Sequence, residues 1–567
     1  MYNLLIIAIF AEKINDSTLK NNIPISKLLS WLWRNSKGAR KQSLLTTFIG
    51  IADVACQMLW VLACKQAIEI ATGEADGSLL STGIFIGTLM LIEITARICN
   101  RWIKNILGVK ATNRLRLELF SRLLRSEWLY LQKLHTGDII NRLEGDVSRI
   151  SALITETIPS VIIVIVQFIA SFVLLFSLSP MLASIVVVIL PICLFISRIY
   201  VKRMRSFNRD IRQSDSRIQA VLQESLQHKA LIMALEQNES TAGELSELQE
   251  NLHNQVRRKT KFSLQAYTFT QIGFAGGYLT AFLWGVSGLA SGSITFGAMS
   301  AFLQLVGLIQ RPTIELSQYI PNIIAALTAT ERLKELEDIP EERQGERIIL
   351  GKGTGVRFEN VEFFYDDSKE PIFKNFNFDF SPGSSTAIVG ETGAGKTTLI
   401  RLMVALIRPN SGEITIYNDG KQHSSSPATR GNFVYIPQGN SLISGTIRDN
   451  LLMGNPDATD EMLHEALHTA CAEFVFSLPQ GIDTPVAEQG SSLSEGQAQR
   501  IAVARSILRP GSILILDEIT SALDEETEKE MLHRLTSQES GNTLIFVTHR
   551  PTVMQYCTQV LKIGNVL

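Results

Sequence analysis

Charged residues are scarce in this chain of 567 residues: Asp, Glu, Lys and Arg make up 19% of the total, below the roughly 25% typical of soluble domains. Acids and bases nearly cancel, which leaves a formal net charge of −2 at pH 7. A protein that binds nucleic acid through charge carries a basic surface, so we expect no nucleic-acid partner. The shortage is local, because long apolar runs fill roughly the first 330 residues and the remainder has the composition of a soluble α/β domain.

Cysteine pairs are missing as well. The chain has 6 cysteines, but they are scattered, and no two have the C-x-x-C spacing of a zinc or dithiol site. We therefore interpret them as small buried apolar residues. They are Cys56, Cys64, Cys99, Cys193, Cys471 and Cys557.

Six apolar segments are long enough to cross a bilayer as helices. They are Leu44–Ala63, Leu80–Cys99, Ile158–Phe176, Met181–Tyr200, Ala266–Ser287 and Phe296–Leu316. The connections after the first, third and fifth segments are short and almost free of Lys and Arg, whereas the other two are long and basic. The positive-inside rule places both long connections and both ends of the chain in the cytoplasm. We therefore predict a multi-pass protein of the cytoplasmic (inner) membrane.

The two long connections, residues 101–157 and 201–265, keep a helical period with alternating charges. A structureless loop of that length is uncommon, so we expect the spans to continue as helices into the cytoplasm. Each pair of helices would be joined by a turn, near Lys133–Asp138 and near Gln227–Ala230. Solvated coiled-coil stalks are the alternative. Ahead of the first span, Ile25–Trp33 is aromatic and amphipathic with basic residues after it, which suits a helix at the cytoplasmic membrane surface.

A glycine-rich loop dominates the C-terminal part. It follows the apolar strand Thr386–Val389 and precedes a predicted helix, Leu399–Leu406. This context makes G-x-x-x-x-G-K-[ST] a phosphate-binding loop, in which backbone N–H groups and the helix N-terminus hold phosphate. Lys396 supplies charge for the β- and γ-phosphates, and the Thr397 hydroxyl can ligate Mg²⁺. The predicted nucleotide ligands of the loop are Gly390, Glu391, Thr392, Gly393, Ala394, Gly395, Lys396, Thr397 and Thr398.

A second anion-binding surface is predicted in Leu493–Gln497, just before a helix. There a serine hydroxyl, a glycine and a helix N-terminus come together. The residues concerned are Ser494, Gly496 and Gln497.

Candidate metal and catalytic residues stand at the ends of apolar strands. Ile513–Asp517 delivers Asp517 to the Mg²⁺ shell, and Glu518 can polarise the attacking water. Another apolar strand ends in His549, placed to touch the γ-phosphate, and Gln438 lies in a turn from which it could reach metal or water. Taken alone, each of these residues also has an ordinary structural explanation. An acid at a strand end can be a helix N-cap, and His549 can be a structural histidine.

Together, in this order and on these elements, the motifs resemble the ATPase domain of the ATP-binding-cassette (ABC) family, over roughly residues 355–565. The whole chain resembles the half-transporters of the type I exporter family. Thr136–Leu143 looks like that family's stretch beside the first coupling helix, and Ala326–Arg332 looks like the segment leaving the sixth span. The implied fold is an α-helical six-span transmembrane domain with long cytoplasmic helical extensions, followed by an α/β P-loop ABC ATPase domain.

The resemblance implies ATP and Mg²⁺ as cofactors. Tyr365 matches the position where the family stacks an aromatic ring on adenine; in the alternative interpretation it is one more strand aromatic. Two chains would pair, each Gly390–Thr398 loop facing the other chain's Ser494–Gln497, with ATP between them. Because Glu518 and His549 are both intact, neither composite site need be inactive, which favours a homodimer over a heterodimer.

Two features depart from the family. Ser494–Gln497 reads Ser-Glu-Gly-Gln where Ser-Gly-Gly-Gln is usual, so Glu495 adds an acid near the nucleotide that could slow turnover. The sequence ends at Leu567, so a final helix common in the family is expected to be short or absent.

The domain prediction has four parts. Residues 1–42 form an N-terminal segment with an interfacial elbow helix, and 43–335 form the transmembrane domain with two cytoplasmic coupling loops. A composition rich in Glu, Arg and Gly marks 336–354 as a linker. Residues 355–567 form the nucleotide-binding domain.

Polar side chains inside the spans are the clues to what is carried. Ionisable groups there face protein or a water-filled cavity, so they could form the polar wall of a substrate cavity. In the alternative interpretation they are ion pairs that hold helices together. The candidates are Asp53, Glu93, Arg97, Gln310 and Arg311.

The expected function is ATP-driven export or flipping of an amphipathic substrate by alternating access in a dimer. Membrane lipid and a small amphipathic molecule (a lipid, drug-like compound or peptide) are the expected partners. The alternative is a membrane-bound ABC ATPase that acts as a sensor or regulator without transport. Six spans disfavour a soluble cassette ATPase, and their fusion to the ATPase in the exporter order disfavours an importer.

Overall fold

The computed structural model describes residues 24–342, 345–365, 370–439, 441–487, 493–519, 523–537 and 541–564. Residues 1–23, most of the predicted N-terminal segment, lie outside these ranges. The chain divides into two compact units. The first holds the described residues up to Phe120 together with Gly137–Glu337, and the second holds Ser121–Thr136 together with Asp338 onwards.

The first unit is built from helices, several of them very long. They are α1 (Ile25–Asn35), α2 (Arg40–Thr72), α3 (Leu79–Leu123), α4 (Trp128–Gln132), α5 (Thr136–Asn141), α6 (Val147–Ala152), α7 (Ile158–Leu178), α8 (Pro180–Gln227), α9 (Lys229–Ala234), α10 (Asn238–Ala290) and α11 (Phe296–Glu337). Of these, α4 and the last residues of α3 belong to the second unit. The elbow helix predicted at Ile25–Trp33 is α1.

Each predicted span lies inside one helix, and every one of these helices except α7 extends well past its span. Helix α10 has 53 residues, about 80 Å at 1.5 Å per residue, far more than the roughly 30 Å of a bilayer core. The predicted helical continuation beyond the spans is therefore present. The two turns fall between α4 and α5 and around the short helix α9.

The count of six spans is not confirmed. Among the described residues, four stretches are long and apolar enough to cross a membrane, and Phe296–Gln310 is a shorter apolar helix. The four are Arg40–Thr72, Leu79–Leu123, Thr136–Leu178 and Asn238–Ala290. The chain thus has the helices of a membrane-embedded protein.

Two π-helical turns interrupt the third of these stretches, at Arg142–Asp146 and Leu153–Thr157. A π turn widens the helix and frees backbone carbonyls from their usual partners. One of these, the carbonyl of Ile154, accepts a hydrogen bond from the Ser43 hydroxyl at 3.0 Å. A residue of helix α2 therefore donates a hydrogen bond to a backbone carbonyl of the π turn.

The end of α11 is held by two other parts of the first unit. Glu337 accepts a hydrogen bond from the indole of Trp31 and pairs with Arg34 at 2.7 Å, so α1 is fixed to the last turn. Asp146, only 1% exposed, pairs with Arg332 at 2.7 Å. The helix leading out of the first unit is thus anchored by charge on two sides.

The second unit contains a parallel sheet beside an antiparallel one. Its strands are β1 (Gly355–Phe363), β2 (Phe373–Phe380), β3 (Ser385–Gly390), β4 (Ser411–Asn418), β5 (Lys421–Ser424), β6 (Phe433–Ile436), β7 (Gly445–Thr446), β8 (Pro485–Val486), β9 (Ile513–Asp517), β10 (Thr543–Val547) and β11 (Gln559–Ile563). Its further helices are α12 (Lys396–Met403), α13 (Ile447–Leu452), α14 (Asp460–Thr469), α15 (Glu495–Ile507), α16 (Glu525–Ser537) and α17 (Pro551–Met554).

The five-stranded sheet has the order β11-β3-β10-β9-β6, and every described pairing in it is parallel. Every residue of β9 and β10 is buried, as expected where helices cover both faces of a parallel sheet. The carboxyl ends of parallel strands meet at one edge. The glycine loop, Asp517, His549 and Gln438 all follow such ends, so the topology brings the predicted motifs together.

Segment Ser121–Thr136 joins the second unit through the linker. Glu127 N donates to Pro340 O at 2.9 Å, and Glu342 N donates to Arg125 O at 2.8 Å. Side chains Trp128 and Leu129 pack against the core between the two sheets. A segment that separates two long helices in sequence is therefore part of the sheet-containing unit.

Candidate nucleotide site

The glycine loop joins β3 to α12, and at two of its glycines a side chain would not fit. A Cβ on Gly390 would lie 2.3 Å from the carbonyl oxygen of Ile563 on the paired strand. Gly395 caps α12 with φ of 102°, a conformation that side chains disfavour, and its Cβ would meet Ile372 at 2.6 Å. Helix α12 begins at Lys396 and ends at Met403, so the predicted helix is displaced toward the loop. The helix N-terminus therefore opens directly on the loop.

Lys396 lies at the centre of the site. Its Nζ donates to the carbonyls of Gly390 at 2.7 Å and Glu391 at 3.2 Å, and it lies 2.8 Å from Nε2 of His549. The residue is only 8% exposed. The ammonium is thus fixed inside the loop, where phosphate oxygens would meet it.

Glu518 continues this chain of contacts. His549 Nε2 lies 3.5 Å from Glu518 Oε1, and Gln438 Nε2 donates to Glu518 Oε2 at 2.6 Å. Glu518 has φ of 51°, a left-handed backbone that is costly for a residue with a side chain. Its N–H donates to Val547 O at 3.0 Å. Four predicted residues, each C-terminal to a different strand of the parallel sheet, therefore form one connected network.

Asp517 lies at the end of β9 and is 6% exposed. Burial raises the pKa of its carboxyl, and the hydrogen bond from Tyr435 works in the opposite direction. Tyr435 Oη donates to Asp517 Oδ2 at 3.2 Å, while burial followed by the charge of Asp517 raises the pKa of the tyrosine. Asp517 is therefore a fixed, partly desolvated carboxylate.

Tyr435 was not predicted to belong to the site. The available signal was a single hydroxyl in an otherwise apolar strand, because a buried tyrosine hydroxyl usually needs a partner. The strand order that places β6 beside β9 is not visible in the sequence.

Tyr365 follows β1 and packs edge-on against Phe363, with ring centroids 4.9 Å apart. Its hydroxyl lies 3.4 Å from Oγ1 of Thr398 and accepts a hydrogen bond from Arg401 at 3.2 Å. The ring is thus beside α12, the helix that follows the phosphate loop. Arg401 is a second residue that sequence reasoning missed.

Ser494 is the N-cap of α15 and forms a capping box with Gln497. Ser494 N donates to Gln497 Oε1 at 3.0 Å, and Gln497 N donates to Ser494 Oγ at 3.3 Å. Reciprocal bonds of this kind fix the start of a helix. Gly496 lies in the first turn, so the predicted second anion surface has the expected helix N-terminus.

Comparison with known proteins identifies the two units. A family model described as the ABC transporter transmembrane region matches residues 43–313, and one described as ABC transporter matches residues 373–521. The chain belongs to the ABC transporter family. The second unit is its ATPase domain, and the protein couples ATP hydrolysis to transport.

Relatives of this ABC transporter include the ABC multidrug transporter mdr2 of Aspergillus fumigatus, 31% identical over 511 residues. The match covers 87% of this chain and 64% of the relative's length. The ATP-dependent lipid A-core flippase of Bordetella avium is 28% identical, over 82% of this chain and 80% of the flippase.

A solved structure of a bacterial Atm1-family ABC exporter with ATP bound has the same fold. The TM-score is 0.77 at 21% identity, and the match covers 94% of this chain and 95% of the other. The ABC transporter thus has the fold of a type I exporter, which is what the sequence resemblance implied.

Four of the five polar residues predicted to line a substrate cavity have partners in the first unit. Arg97 pairs with Asp53 at 3.4 Å and with Glu93 one turn earlier, so it links α3 to α2. Gln310 donates to Phe274 O at 3.1 Å and links α11 to α10. The side chain of Arg311 lies outside the described part of the structure. These contacts fit the helix-pairing interpretation, and the cavity role stays a prediction.

Proposed function

We propose that this ABC transporter exports or flips an amphipathic substrate across the cytoplasmic membrane, by alternating access in a dimer. The network from Lys396 through His549 and Glu518 to Gln438 carries the proposal. These residues come from separate segments at one sheet edge, and their types suit phosphate binding and activation of a water molecule. A membrane domain fused to such a site has a direct use for the energy of hydrolysis.

In the proposed site, each residue has its own task. Lys396 and the loop N–H groups hold the β- and γ-phosphates, and Tyr365 stacks on the base. Glu518 accepts a proton from the attacking water, while His549 and Gln438 orient the carboxylate and the water. The strained backbone of Glu518 supports this role, because such strain collects at functional positions.

Mg²⁺ fits the donor set of this site. Magnesium prefers oxygen ligands and uses few carboxylates, and the residues available are the exposed Thr397 hydroxyl, the buried Asp517 carboxylate and the Gln438 amide oxygen. When bound, the ion would supply positive charge that offsets the negative charge of the phosphates. Tyr435 holds the Asp517 carboxylate in one orientation.

A dimer is proposed because each chain supplies half of a nucleotide site. The loop Gly390–Thr398 would face the other chain's Ser494, Gly496 and Gln497, with ATP between them. The capping box at Ser494 supports this, since it holds the helix N-terminus ready for an anion. Glu518 and His549 are present in every copy, which favours a homodimer.

The substrate class is proposed from the relatives and the membrane helices. One relative is named a multidrug transporter and another a lipid A-core flippase; molecules of both kinds combine apolar and polar parts. We therefore propose membrane lipid or a drug-like amphiphile as the cargo. The domain limits 43–335, 336–354 and 355–567 belong to the same proposal, as does the cytoplasmic side for the ATPase.

The test uses the full chain in proteoliposomes that contain fluorescent phospholipid, glycolipid or cationic dye. We expect ATP hydrolysis to rise with one of these probes, and the probe to change leaflet or compartment only with ATP. Glu518→Gln is the control without hydrolysis. Stimulated or basal hydrolysis without movement of any probe would instead support a sensor or regulator.

A further inference from the structure

Arg401 lies between two aromatic side chains in the second unit. It is on α12, three residues after Thr398, so the two share one face of the helix. On one side, Arg401 Nη1 donates to Tyr365 Oη at 3.2 Å. On the other, the guanidinium carbon lies 4.5 Å from the ring centroid of Trp128, a cation–π distance.

Trp128 is a fixed platform and not a loose surface ring. It packs against the core of the unit, in a segment that pairs with the linker through Ser126 and Glu341. Glu341 also accepts from Arg122 at 3.1 Å. The ring that Arg401 stacks on therefore belongs to a segment fixed by backbone and charge.

The linker also reaches the far end of α12. Glu342 forms a two-pronged ion pair with Arg430, at 2.9 and 3.1 Å. Arg430 in turn donates to the carbonyls of Val404 and Ala405, just after the helix, at 3.1 and 2.7 Å. Helix α12 is thus held by segment Ser121–Thr136 at its middle and by the linker at its end.

We infer that Arg401 is a positioning residue that ties the base-stacking tyrosine to Trp128, so that binding of the nucleotide base and packing of Ser121–Thr136 depend on each other. The inference rests on the proposed role of Tyr365. The guanidinium is planar and can stack and donate at once, which an ammonium cannot do in the same way. Coupling of this kind acts in both directions.

The proposed contact acts on binding of the base and not on binding of the phosphates. A disturbance of the Trp128–Arg401–Tyr365 contact should weaken nucleotides that carry a base and leave a bare phosphate chain unaffected. Magnesium tripolyphosphate has no base to stack, so its binding reports on Lys396 and the other phosphate-facing residues without Tyr365. This comparison distinguishes positioning of the tyrosine from damage to the phosphate loop.

The test measures binding of Mg-ATP and of Mg-tripolyphosphate to the full chain in lipid nanodiscs. Arg401→Lys keeps the charge and Trp128→Leu keeps an apolar side chain, so both spare the general electrostatics and the core. We expect each to weaken ATP binding about three- to five-fold, the range of one cation–π contact. Tripolyphosphate binding should not change. The double variant should be no weaker than Arg401→Lys alone, because both act on one contact.

Arg408→Lys is the matched control. Arg408 pairs with Glu127 of the same segment at 3.7 Å, whereas the side-chain contacts of Tyr365 are with Phe363, Thr398 and Arg401. Both affinities should therefore stay at the wild-type value. Unchanged ATP affinity in Arg401→Lys would overturn the inference, and so would equal losses for ATP and tripolyphosphate.

Tyr365→Ala distinguishes a failure of base stacking, which belongs to the proposed function, from a failure of the positioning role of Arg401. Selective loss of ATP affinity in Tyr365→Ala but not in Arg401→Lys would leave base stacking intact and overturn the positioning role. No loss in Tyr365→Ala would overturn both base stacking and the relay. Transport and hydrolysis are measured independently, so failure of the proposed export is seen in a different assay.

Discussion

Gln438 donates a hydrogen bond from Nε2 to Oε2 of Glu518 at 2.6 Å. The other oxygen of that carboxylate lies 3.5 Å from His549, so the two oxygens of Glu518 are held from two loops. The strained φ of 51° at Glu518 is kept in place by these contacts and by the bond from its N–H to Val547. A carboxylate held this firmly is suited to accept a proton in one direction.

Glu518→Gln should bind ATP and hydrolyse it very slowly. The amide keeps the shape of the side chain and can still contact Gln438 or His549, but it cannot accept a proton at neutral pH. We expect turnover to fall by about 100-fold or more, with ATP affinity close to wild type and the proposed dimer held closed. ATPase rates and nucleotide binding measure the two effects separately. Glu526→Gln, at an exposed position in the first turn of α16, is the control. Near-normal turnover of Glu518→Gln would exclude Glu518 as the base.

Asp517→Asn should stabilise the ATPase domain while it removes metal-dependent hydrolysis. Burial of the carboxylate raises its pKa, which means that the charged form is costly in the fold. Asn is close in shape and can still accept the Tyr435 hydrogen bond. Without Mg²⁺ we expect Tm to rise by about 2–4 °C, the shift for roughly 1 kcal/mol in a domain of this size. A lower Tm would show that the carboxylate is stabilising.

The pH dependence of that difference has a definite sign. The folded-state pKa of Asp517 is raised. The charged carboxylate therefore destabilises the fold above that pKa, and this destabilisation is relieved as pH falls through it. The Tm advantage of Asp517→Asn should therefore be largest near neutral pH and shrink in acid. Thermal unfolding of both proteins across the acidic range measures it, with Asp419→Asn, at a turn, as the control.

Much of the nucleotide site could be predicted because its parts are local. The glycine loop needs neighbours in sequence, and Asp517 and His549 stand at the ends of apolar strands that are recognisable by composition. Parallel strands then place those ends at one edge whatever their order. The network of Lys396, His549 and Glu518 follows from these local rules.

The contacts of Tyr435, Arg401 and Trp128 could not be predicted because they depend on which elements become neighbours. Tyr435 meets Asp517 only because β6 pairs with β9, an order that no local pattern encodes. Trp128 lies 273 positions before Arg401 in the sequence and meets it through the packing of Ser121–Thr136 on the second unit. The π turns at Arg142–Asp146 and Leu153–Thr157 likewise leave no mark in the apolar periodicity.

Asp146→Asn should destabilise the first unit more than Glu335→Gln. Asp146 is buried and accepts from Arg149 at 2.8 Å and Arg332 at 2.7 Å, whereas the Glu335 side chain is 41% exposed where it pairs with Arg142. Loss of the buried acid leaves two unpaired guanidinium groups, but both reach solvent. We therefore expect the free energy of unfolding to fall by roughly 1–2 kcal/mol. Loss of the exposed Arg142–Glu335 pair should lower the free energy of unfolding by under about 0.5 kcal/mol. Thermal inactivation in detergent compares the variants; equal losses would contradict the burial argument.

Arg97→Gln should lower the stability of the membrane domain, and neutralising its partners should restore it. Arg97 pairs with Asp53 at 3.4 Å and with Glu93, so removing its charge leaves two acids close together among apolar helices. We expect a loss of roughly 2 kcal/mol, the scale of an unpaired acid at membrane depth. The triple variant Asp53→Asn, Glu93→Gln, Arg97→Gln carries no charge there and should regain folded yield in a fluorescence-detected size-exclusion assay. If the triple variant folds and transports, these residues pair helices; if it folds and loses transport, they contact the cargo.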